Sequence, residues 1–320
     1  MKSLLKLFLF ITIPTLIISC SDDDDSGSTN PPMESNTIAD IVIENDDYSS
    51  LEAALIKADL VTTLSGDQKF TVFAPDNDAF AAFLSDKGFA NLDEVPTPVL
   101  KQILLNHVIS GEVMAGDITT GYVTNLAVEG TTQSNLSMYL NTDDGVMING
   151  EVSVEDPDIE ADNGVIHAVD KVIDIPTVVT FATADARFST LVSALTREED
   201  FTYVATLSTP AGTSPAPFTV FAPTNTAFVD LLDELDVSLD DVDADTLEAT
   251  LNLHVVAGNN VVAEDLMSGT VTTLGGDVEV DAENTTITDA NGRMSNIIIT
   301  DVQASNGVIH AIDKVILPEL

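Results

Sequence analysis

Two sequence blocks occur twice in the chain, in the same order, and this duplication constrains the fold more than any other feature. FTVFAP occupies residues 70–75 and again residues 218–223. NGVIHAVDKVI occupies residues 163–173, and residues 306–316 repeat it with a single change, Val169 to Ile312. A period of about 140 residues is far longer than the roughly 20–50 residues of a solenoid repeat. The sequence therefore predicts two globular domains in tandem.

The positions of the blocks set the expected domain boundaries. We expect a first domain over residues 37–175 and a second over residues 176–318. Because the junction at 175–177 is very short, the two domains should lie against each other. The second copy has extra residues ahead of its FTVFAP block, in a Ser-, Thr-, Pro- and Ala-rich stretch at 206–217. This composition predicts an exposed loop.

Hydrophobic periodicity predicts helices early in each repeat. Apolar residues recur at the helical spacing i, i+3, i+4 and i+7 at Leu51, Ala54, Leu55 and Ala58, and again at Phe188, Leu191, Val192 and Leu195. Thr97 and Pro98 predict the N-cap and first position of a further helix.

Strand signals gather later in each repeat. Strand-forming runs occupy 146–154 and 297–302, and the Asn-Gly dipeptides at 163–164 and 306–307 predict turns before the last strand. Helices first and strands later favour an α+β fold class.

The charge of the chain excludes several classes of function. There are 11 Lys and Arg against 53 Asp and Glu, for a net charge of -42. Nucleic-acid binding depends on cationic side chains that neutralise phosphates, so no nucleic-acid partner is expected. Binding to an anionic membrane surface or to heparin is excluded for the same reason. We expect the acidity to act as a solvation feature.

The first residues are typical of a lipoprotein leader. Lys2 and Lys6 precede a short apolar run that ends at Cys20, the only cysteine in the chain. We predict a signal peptide over residues 1–19, lipidation of Cys20 and an acidic, Pro-containing tether over residues 20–36. The tether also resembles a surface-export signal of bacterial lipoproteins, which favours the outer face of the outer membrane. The alternatives are an ordinary cleaved signal with an accidental free cysteine, and a tether without an address.

The duplicated blocks resemble the two signature boxes of a fasciclin (FAS1) domain. The similarity extends through Asn77, Ala79 and Phe80 after the first box, and through Asn225, Ala227 and Phe228 in the second copy. It covers nearly the whole chain after the tether. The resemblance implies two tandem domains, each a β-wedge flanked by several helices, with the two boxes as neighbouring central strands. It also implies extracellular adhesion or ligand binding, and usually no catalysis.

All four histidines are paired between the repeats, His107 with His254 and His167 with His310. His107 lies on the apolar face of its predicted helix, and His167 shares a strand face with Val165 and Val169, so buried, hydrogen-bonded imidazoles are the favoured interpretation. The resemblance implies an adhesion motif at His107 and His254. Its usual preceding Tyr is replaced here by Asn106 and Leu253.

A second adhesion element implied by the resemblance is an Asp-Ile pair ahead of the last strand. Asp158 and Ile159 match it, while Asp301 and Val302 are a looser match in the second repeat. The alternative is that Pro157 and Asp158 simply form a turn before that strand. Within the second boxes, Asn163, Gly164 and His167 in one copy, and Asn306, Gly307 and His310 in the other, are expected to have structural roles.

Metal and catalytic signatures are weak. Asp241, Asp243 and Asp245 alternate as in an EF-hand, yet Thr246 and Asn252 stand where Gly and Glu are required, so Asp245 is interpreted as a helix cap. No metal site, cofactor or catalytic residue is expected.

The leading hypothesis is a lipid-anchored surface protein that binds an extracellular protein or matrix ligand noncovalently. The alternative is an outer-membrane polysaccharide-capture or hydrolytic accessory protein. Glycan binding usually needs aromatic platforms, and the chain has no Trp. The aromatic residues kept as candidates are Tyr122, Tyr139 and Tyr203. An envelope spacer without a ligand is the third possibility.

Overall fold

A computed structural model describes residues 36–319. The predicted signal peptide, Cys20 and the tether up to residue 35 lie outside the described residues. Each repeat begins with helices and continues into strands. The helices are α1 (Ile38–Glu44), α2 (Ser49–Lys57), α3 (Val61–Leu64), α4 (Asn77–Asp86) and α5 (Thr97–Asn106) in the first repeat, and α6 (Val178–Ala184), α7 (Ser189–Leu195), α8 (Tyr203–Leu207), α9 (Asn225–Leu235) and α10 (Ala244–Asn252) in the second.

Each repeat holds a seven-stranded mixed sheet, which confirms the α+β class. The first has the strand order β2-β1-β7-β6-β5-β4-β3 and the second β10-β11-β12-β13-β14-β8-β9. The strands are β1 (Phe70–Pro75), β2 (Val108–Ser110), β3 (Gly121–Val128), β4 (Asn135–Asn141), β5 (Met147–Ile148), β6 (Val152–Ala161) and β7 (Gly164–Val169), then β8 (Phe218–Pro223), β9 (Val255–Ala257), β10 (Gly269–Thr273), β11 (Gly276–Asp281), β12 (Thr286–Thr288), β13 (Met294–Ala304) and β14 (Gly307–Ile312).

The two duplicated blocks form neighbouring strands. In the first repeat β1 pairs with β7 in parallel, with Phe70 opposite Gly164, and in the second β8 pairs with β14 in the same register, with Phe218 opposite Gly307. All other pairs are antiparallel. The boxes occupy the second and third positions from one sheet edge rather than the centre. Both strands are buried along nearly their whole length, so the repeated sequence encodes the part of the sheet that is covered on both faces.

Several predicted boundaries shift in the structure. Helix α5 begins at Thr97 itself, with Pro96 at the cap position and no side-chain cap. In α10 the N-cap is Asp243, whose Oδ1 accepts from the Thr246 N–H at 2.9 Å, so the assignment of the cap to Asp245 is wrong. The predicted strand at 146–154 is divided between β5 and β6 by a turn at residues 149–151. Local propensity sets these ends only to within one or two residues.

The predicted loop at 206–217 is shorter than expected. Residues 206 and 207 belong to helix α8, and the loop runs from 208 to 217. The amide of Asn163 donates to the Leu64 carbonyl, and the amide of Asn306 donates to the equivalent Leu207 carbonyl. The second repeat therefore carries extra residues both before and after α8, rather than a single insertion.

The two repeats pack against each other, as the short junction leads one to expect. Tyr139 of β4 is buried in the hydrophobic core of the second repeat. The Tyr122 hydroxyl donates to Asp185 Oδ2 at 2.9 Å, and the Gln303 N–H donates to Ser137 Oγ at 2.9 Å. Each contact joins one repeat to the other, so the described chain is a single packed pair of domains.

Candidate functional site

The four histidines are buried and fully hydrogen-bonded to the backbone. His107 Nε2 accepts from the Ile173 N–H at 2.8 Å, so its proton must be on Nδ1, which donates to the Ile103 carbonyl at 2.7 Å. His254 makes the same pair of bonds with Ile316 and Thr250. Burial lowers the pKa of both rings to about 4. Each neutral ring therefore links the segment after the last strand of its repeat to the C-terminal end of helix α5 or α10.

His167 and His310 carry the opposite tautomer. His167 Nδ1 accepts from the Asp158 N–H at 3.1 Å, and Nε2 donates to the Val113 carbonyl at 3.0 Å. His310 bonds in the same way to Asp301 and Val261, and burial lowers its pKa. Since both nitrogens of every ring face backbone groups, none of the four imidazoles presents a free nitrogen for proton transfer or metal binding.

The Asp-Ile pairs lie in β-bulges. Residues 157–158 are not a turn ahead of a strand, since they lie within β6, where the register shifts between Asp156 and Ile159. Asp158 has φ 64° and Asp301 has φ 60°, which places both in the left-handed region that Asp tolerates. The bulge re-aims the carboxylate: Asp158 Oδ1 accepts from the Ala115 N–H at 2.7 Å, as Asp301 Oδ1 does from Ala263.

Exposure separates the candidate binding residues. Val302 is 1% exposed, and His107 and His254 are buried, so a ligand could reach these three only if the fold opened. Asp158 keeps 37% of its side-chain surface exposed, and Ile159 is half-buried. Of the pairs singled out in the sequence, the one in the first repeat is therefore accessible as a surface feature.

Asn163 and Asn306 hold the two repeats' first helices in place. Asn163 Oδ1 accepts from the Ile38 N–H at 2.8 Å, while its Nδ2 donates to the Leu64 and Gly66 carbonyls. Asn306 makes the equivalent three bonds in the second repeat.

The glycines that follow allow close strand pairing. A Cβ on Gly164 would lie 1.9 Å from the Phe70 carbonyl oxygen, and a Cβ on Gly307 would lie 2.4 Å from the Phe218 carbonyl oxygen. The Asn-Gly pair thus joins β7 or β14 to its neighbouring strand without space for any side chain.

The tyrosines considered for sugar stacking are occupied by the fold. Tyr139 is 3% exposed and Tyr203 is 8% exposed, and Tyr122 packs edge-on against Phe181 at 5.6 Å between ring centroids. Tyr139 and Tyr203 are buried, so the expectation that these two could form a glycan platform is wrong. Tyr122 is half-buried, and its role stays a prediction.

Metal ligands are not clustered in the part of the chain that the structure describes. Among residues 36–319, no group of three or more His, Cys, Asp or Glu side chains is placed to hold a metal ion. In the same range, none of the helices is long and apolar enough to cross a membrane. Cys20 lies outside this range.

Sequence reasoning missed a polar pocket in the first repeat. Its volume is about 420 Å³, and it opens between the start of α2, the start of α4 and the bulged part of β6. Five carboxylates line it, from Asp47, Asp76, Asp78, Glu155 and Asp156. Comparing charges between aligned repeats would have revealed it, because the equivalent positions in the second repeat hold Arg187, Thr224, Thr226, Ile298 and Ile299.

The comparison with family models decides the identity of both repeats. The model of the fasciclin domain matches residues 46–176 and again residues 186–318. The chain belongs to the fasciclin domain family. Protein sll1483 of Synechocystis is 38% identical over 137 residues, covering 43% of this chain and 72% of that protein. The uncharacterized Synechocystis protein sll1735 is 38% identical over 144 residues, covering 45% of this chain and 98% of that protein.

Other similar proteins contain fasciclin domains as parts of longer or paired arrangements. Human periostin is 29% identical over 291 residues, which cover 88% of this chain and 31% of periostin. The structure of a FAS1 domain pair from the insect cell adhesion molecule fasciclin I aligns with 87% of this chain and 95% of that chain, at 19% identity and a TM-score of 0.46. The family predicted from the two boxes is confirmed.

Proposed function

We propose that this chain is a lipid-anchored, cell-surface adhesion protein that binds an extracellular protein or matrix ligand noncovalently through its tandem fasciclin domains. The observation that carries the proposal is the family membership of both repeats. Histidine is the side chain most suited to proton transfer, and all four imidazoles are hydrogen-bonded to backbone groups of the protein. This supports ligand binding rather than catalysis. The accessible features of the first repeat, Asp158 and Ile159, are then part of the candidate binding surface.

The anchor is proposed from the leader sequence. Lipidation of Cys20 would hold the chain at the outer membrane, and the acidic tether would carry the domains outward. The test is metabolic labelling with palmitate of the natural chain and of a Cys20→Ala variant, with protease added to intact cells. We expect label and membrane association in the natural chain only, together with surface digestion. Equal labelling of the two chains would contradict lipidation, and protection from protease would contradict surface exposure.

Binding is tested with the full chain, because the buried contacts between the repeats make isolated halves poor reagents. The chain is applied to matrix-protein and glycan arrays with and without Ca²⁺. Binding to proteins alone supports adhesion, whereas binding to polysaccharides alone favours the capture protein, and silence on every array favours a spacer.

The Asp-Ile pair is tested on the same arrays. Asp158→Asn with Ile159→Ala should weaken binding, because it changes the accessible pair while keeping an oxygen acceptor for the Ala115 N–H. A matched control, Asp240→Asn, changes an exposed carboxylate in the second repeat. Unchanged binding by the double variant removes the pair from the binding surface.

A further inference from the structure

The polar pocket of the first repeat is negatively charged, and no positively charged side chain lines it. Of its five carboxylates, only Asp76 has a hydrogen bond, with Oδ1 accepting from the Ala79 N–H at 2.8 Å as the N-cap of α4. Within residues 36–319, the side chains of Asp47, Asp78, Glu155 and Asp156 take part in no hydrogen bond or ion pair. No Lys, Arg or His lines the pocket. Like charges gathered without partners repel one another, so the pocket favours a cation.

A second, independent feature points into the same pocket. Tyr48 is 5% exposed, with its ring in the hydrophobic core, and it lines the pocket. In the described residues its hydroxyl has no hydrogen-bond partner within the protein, and it meets solvent at the surface of the pocket. Tyr48 lines the pocket together with Asp47, Asp76 and Asp156. Burial raises the pKa of this phenol, and the charges of these carboxylates raise it further.

The second repeat shows that the fold forms without the five carboxylates and the tyrosine hydroxyl of this pocket. At the position of Tyr48 it has Phe188, and the five carboxylates are replaced as described above. Thr224 at the position of Asp76 still caps its helix through a bond from the Ala227 N–H. The same fold therefore forms without the acidic rim or the hydroxyl.

The shape of the pocket selects the kind of cation. The carboxylates do not converge as metal ligands do. Ile159, Ala168 and Val169 add an apolar wall. A volume of about 420 Å³ lies within the roughly 300–1,000 Å³ of ordinary ligand pockets and is much larger than a metal ion requires. Lys and Arg side chains combine an aliphatic stem with a charged end, which matches an apolar wall beneath an acidic rim.

We propose that this pocket binds a lysine or arginine side chain presented by a protein partner, with the stem against the apolar wall and the charged end among the carboxylates and the Tyr48 hydroxyl. The proposal deepens the proposed function, on which it rests for the partner being a protein. It makes the first repeat the one that selects the ligand.

The test is an NMR titration of the ¹⁵N-labelled full chain in detergent with the tripeptide acetyl-Gly-Lys-Gly-amide. The neutral comparison is the same peptide with norleucine in place of lysine, and putrescine serves as the free-amine comparison. We expect saturable shifts confined to amides that line the pocket, with the lysine peptide binding more tightly than either comparison.

The variants are chosen so that they fold. Asp76→Thr with Asp156→Asn removes two carboxylates and keeps the helix cap, and Tyr48→Phe removes only the hydroxyl. We expect binding of the lysine peptide to weaken about fivefold or more in the double variant, as for two exposed ion pairs. A smaller loss is expected in Tyr48→Phe. Asp240→Asn with Asp265→Asn, which changes the net charge equally in the second repeat, should bind like the natural chain.

Four outcomes would overturn the proposal: no localised shifts, equal binding of the norleucine peptide, equal weakening in the control pair, or tighter binding of putrescine than of the lysine peptide. The array experiment keeps the two proposals separate. A chain that binds its protein ligand but not the lysine peptide retains the adhesion function and loses this pocket. A chain that binds the lysine peptide but binds nothing on the arrays retains the pocket and contradicts the adhesion function.

Discussion

The buried neutral histidines lead us to expect that mild acid destabilises the folded chain. An unfolded His titrates near pH 6.5, whereas burial lowers the pKa of His107 and His254 to about 4. Above pH 6.5 neither state binds the proton, so these rings add no pH dependence. Between pH 6.5 and 4 the unfolded chain binds more protons, so the free energy of unfolding falls as the pH falls. Below about 4 both states are protonated and the loss is complete.

The size of the effect follows from the two pKa values. A difference of between two and three pH units at about 1.36 kcal/mol per unit gives a loss of about 3 kcal/mol for each ring. At the steepest part, each ring contributes about 1.4 kcal/mol per pH unit. This loss is large beside the roughly 5–15 kcal/mol that stabilises a typical domain.

The perturbation is His107→Gln, which removes one titrating ring and keeps a polar side chain. Unfolding in urea is followed by far-UV circular dichroism from pH 7 to 5, since the chain has no Trp to report by fluorescence. The variant is expected to be less stable at pH 7 and to have a shallower pH dependence, by up to about 1.4 kcal/mol per pH unit. Leu104→Ala, a buried neighbour that does not titrate, should be destabilised yet keep the natural slope.

Carboxylate protonation acts on both chains alike. Acid relieves part of the self-repulsion of a chain with net charge -42, which opposes the histidine effect. The difference between the natural chain and His107→Gln cancels this contribution. Equal slopes for the two chains, or a His107 ring that titrates near pH 6.5 by NMR, would refute the reasoning.

Three further predictions concern the second boxes and the charge. Gly164→Ala should cost about 3 kcal/mol or more in chemical denaturation, because its Cβ would overlap the Phe70 carbonyl, while Gly116→Ala, with open space, should be nearly neutral. Asn306→Ala should cost about 3 kcal/mol or more, because it leaves two buried backbone groups and one half-buried backbone carbonyl unpaired; a loss below about 1 kcal/mol would contradict this. Raising NaCl from low concentration should raise the melting temperature as repulsion is screened, and indifference to salt would contradict the solvation role of the acidity.

Much of the fold could be predicted because the repeated blocks are the most buried strands. A strand covered on both faces, such as FTVFAP, tolerates few residue types, so its sequence is distinctive in both copies. Helix α2 followed from its apolar spacing. The ends of helices were predicted less precisely. At the start of α5, Thr97 and Pro98 suit either of two adjacent cap positions, and the structure places Pro96 at the cap.

The candidate site was predictable only in part. The burial of His107 followed from the helix face on which it lies, but its tautomer depends on the Ile173 N–H, which is 66 residues away in the sequence. Pro157 and Asp158 have the composition of a turn, which was the alternative interpretation of this pair, but the structure has a β-bulge there. What distinguishes a bulge is the pairing of β6 with β7, a long-range contact that no local pattern reports.

The acidic pocket is a feature in which the two repeats differ, whereas the buried strands of their two boxes are nearly identical in sequence. Residues that both copies share, such as Asn163 and Asn306, make the same internal bonds, so their identity is explained by folding. Five carboxylates and the hydroxyl of Tyr48 differ at equivalent places, and the second copy folds without them. Folding therefore does not explain them, and in a chain this acidic their mutual repulsion opposes stability. A ligand that brings positive charge would remove that repulsion, so binding should raise the melting temperature of the natural chain more than that of the Asp76→Thr, Asp156→Asn variant.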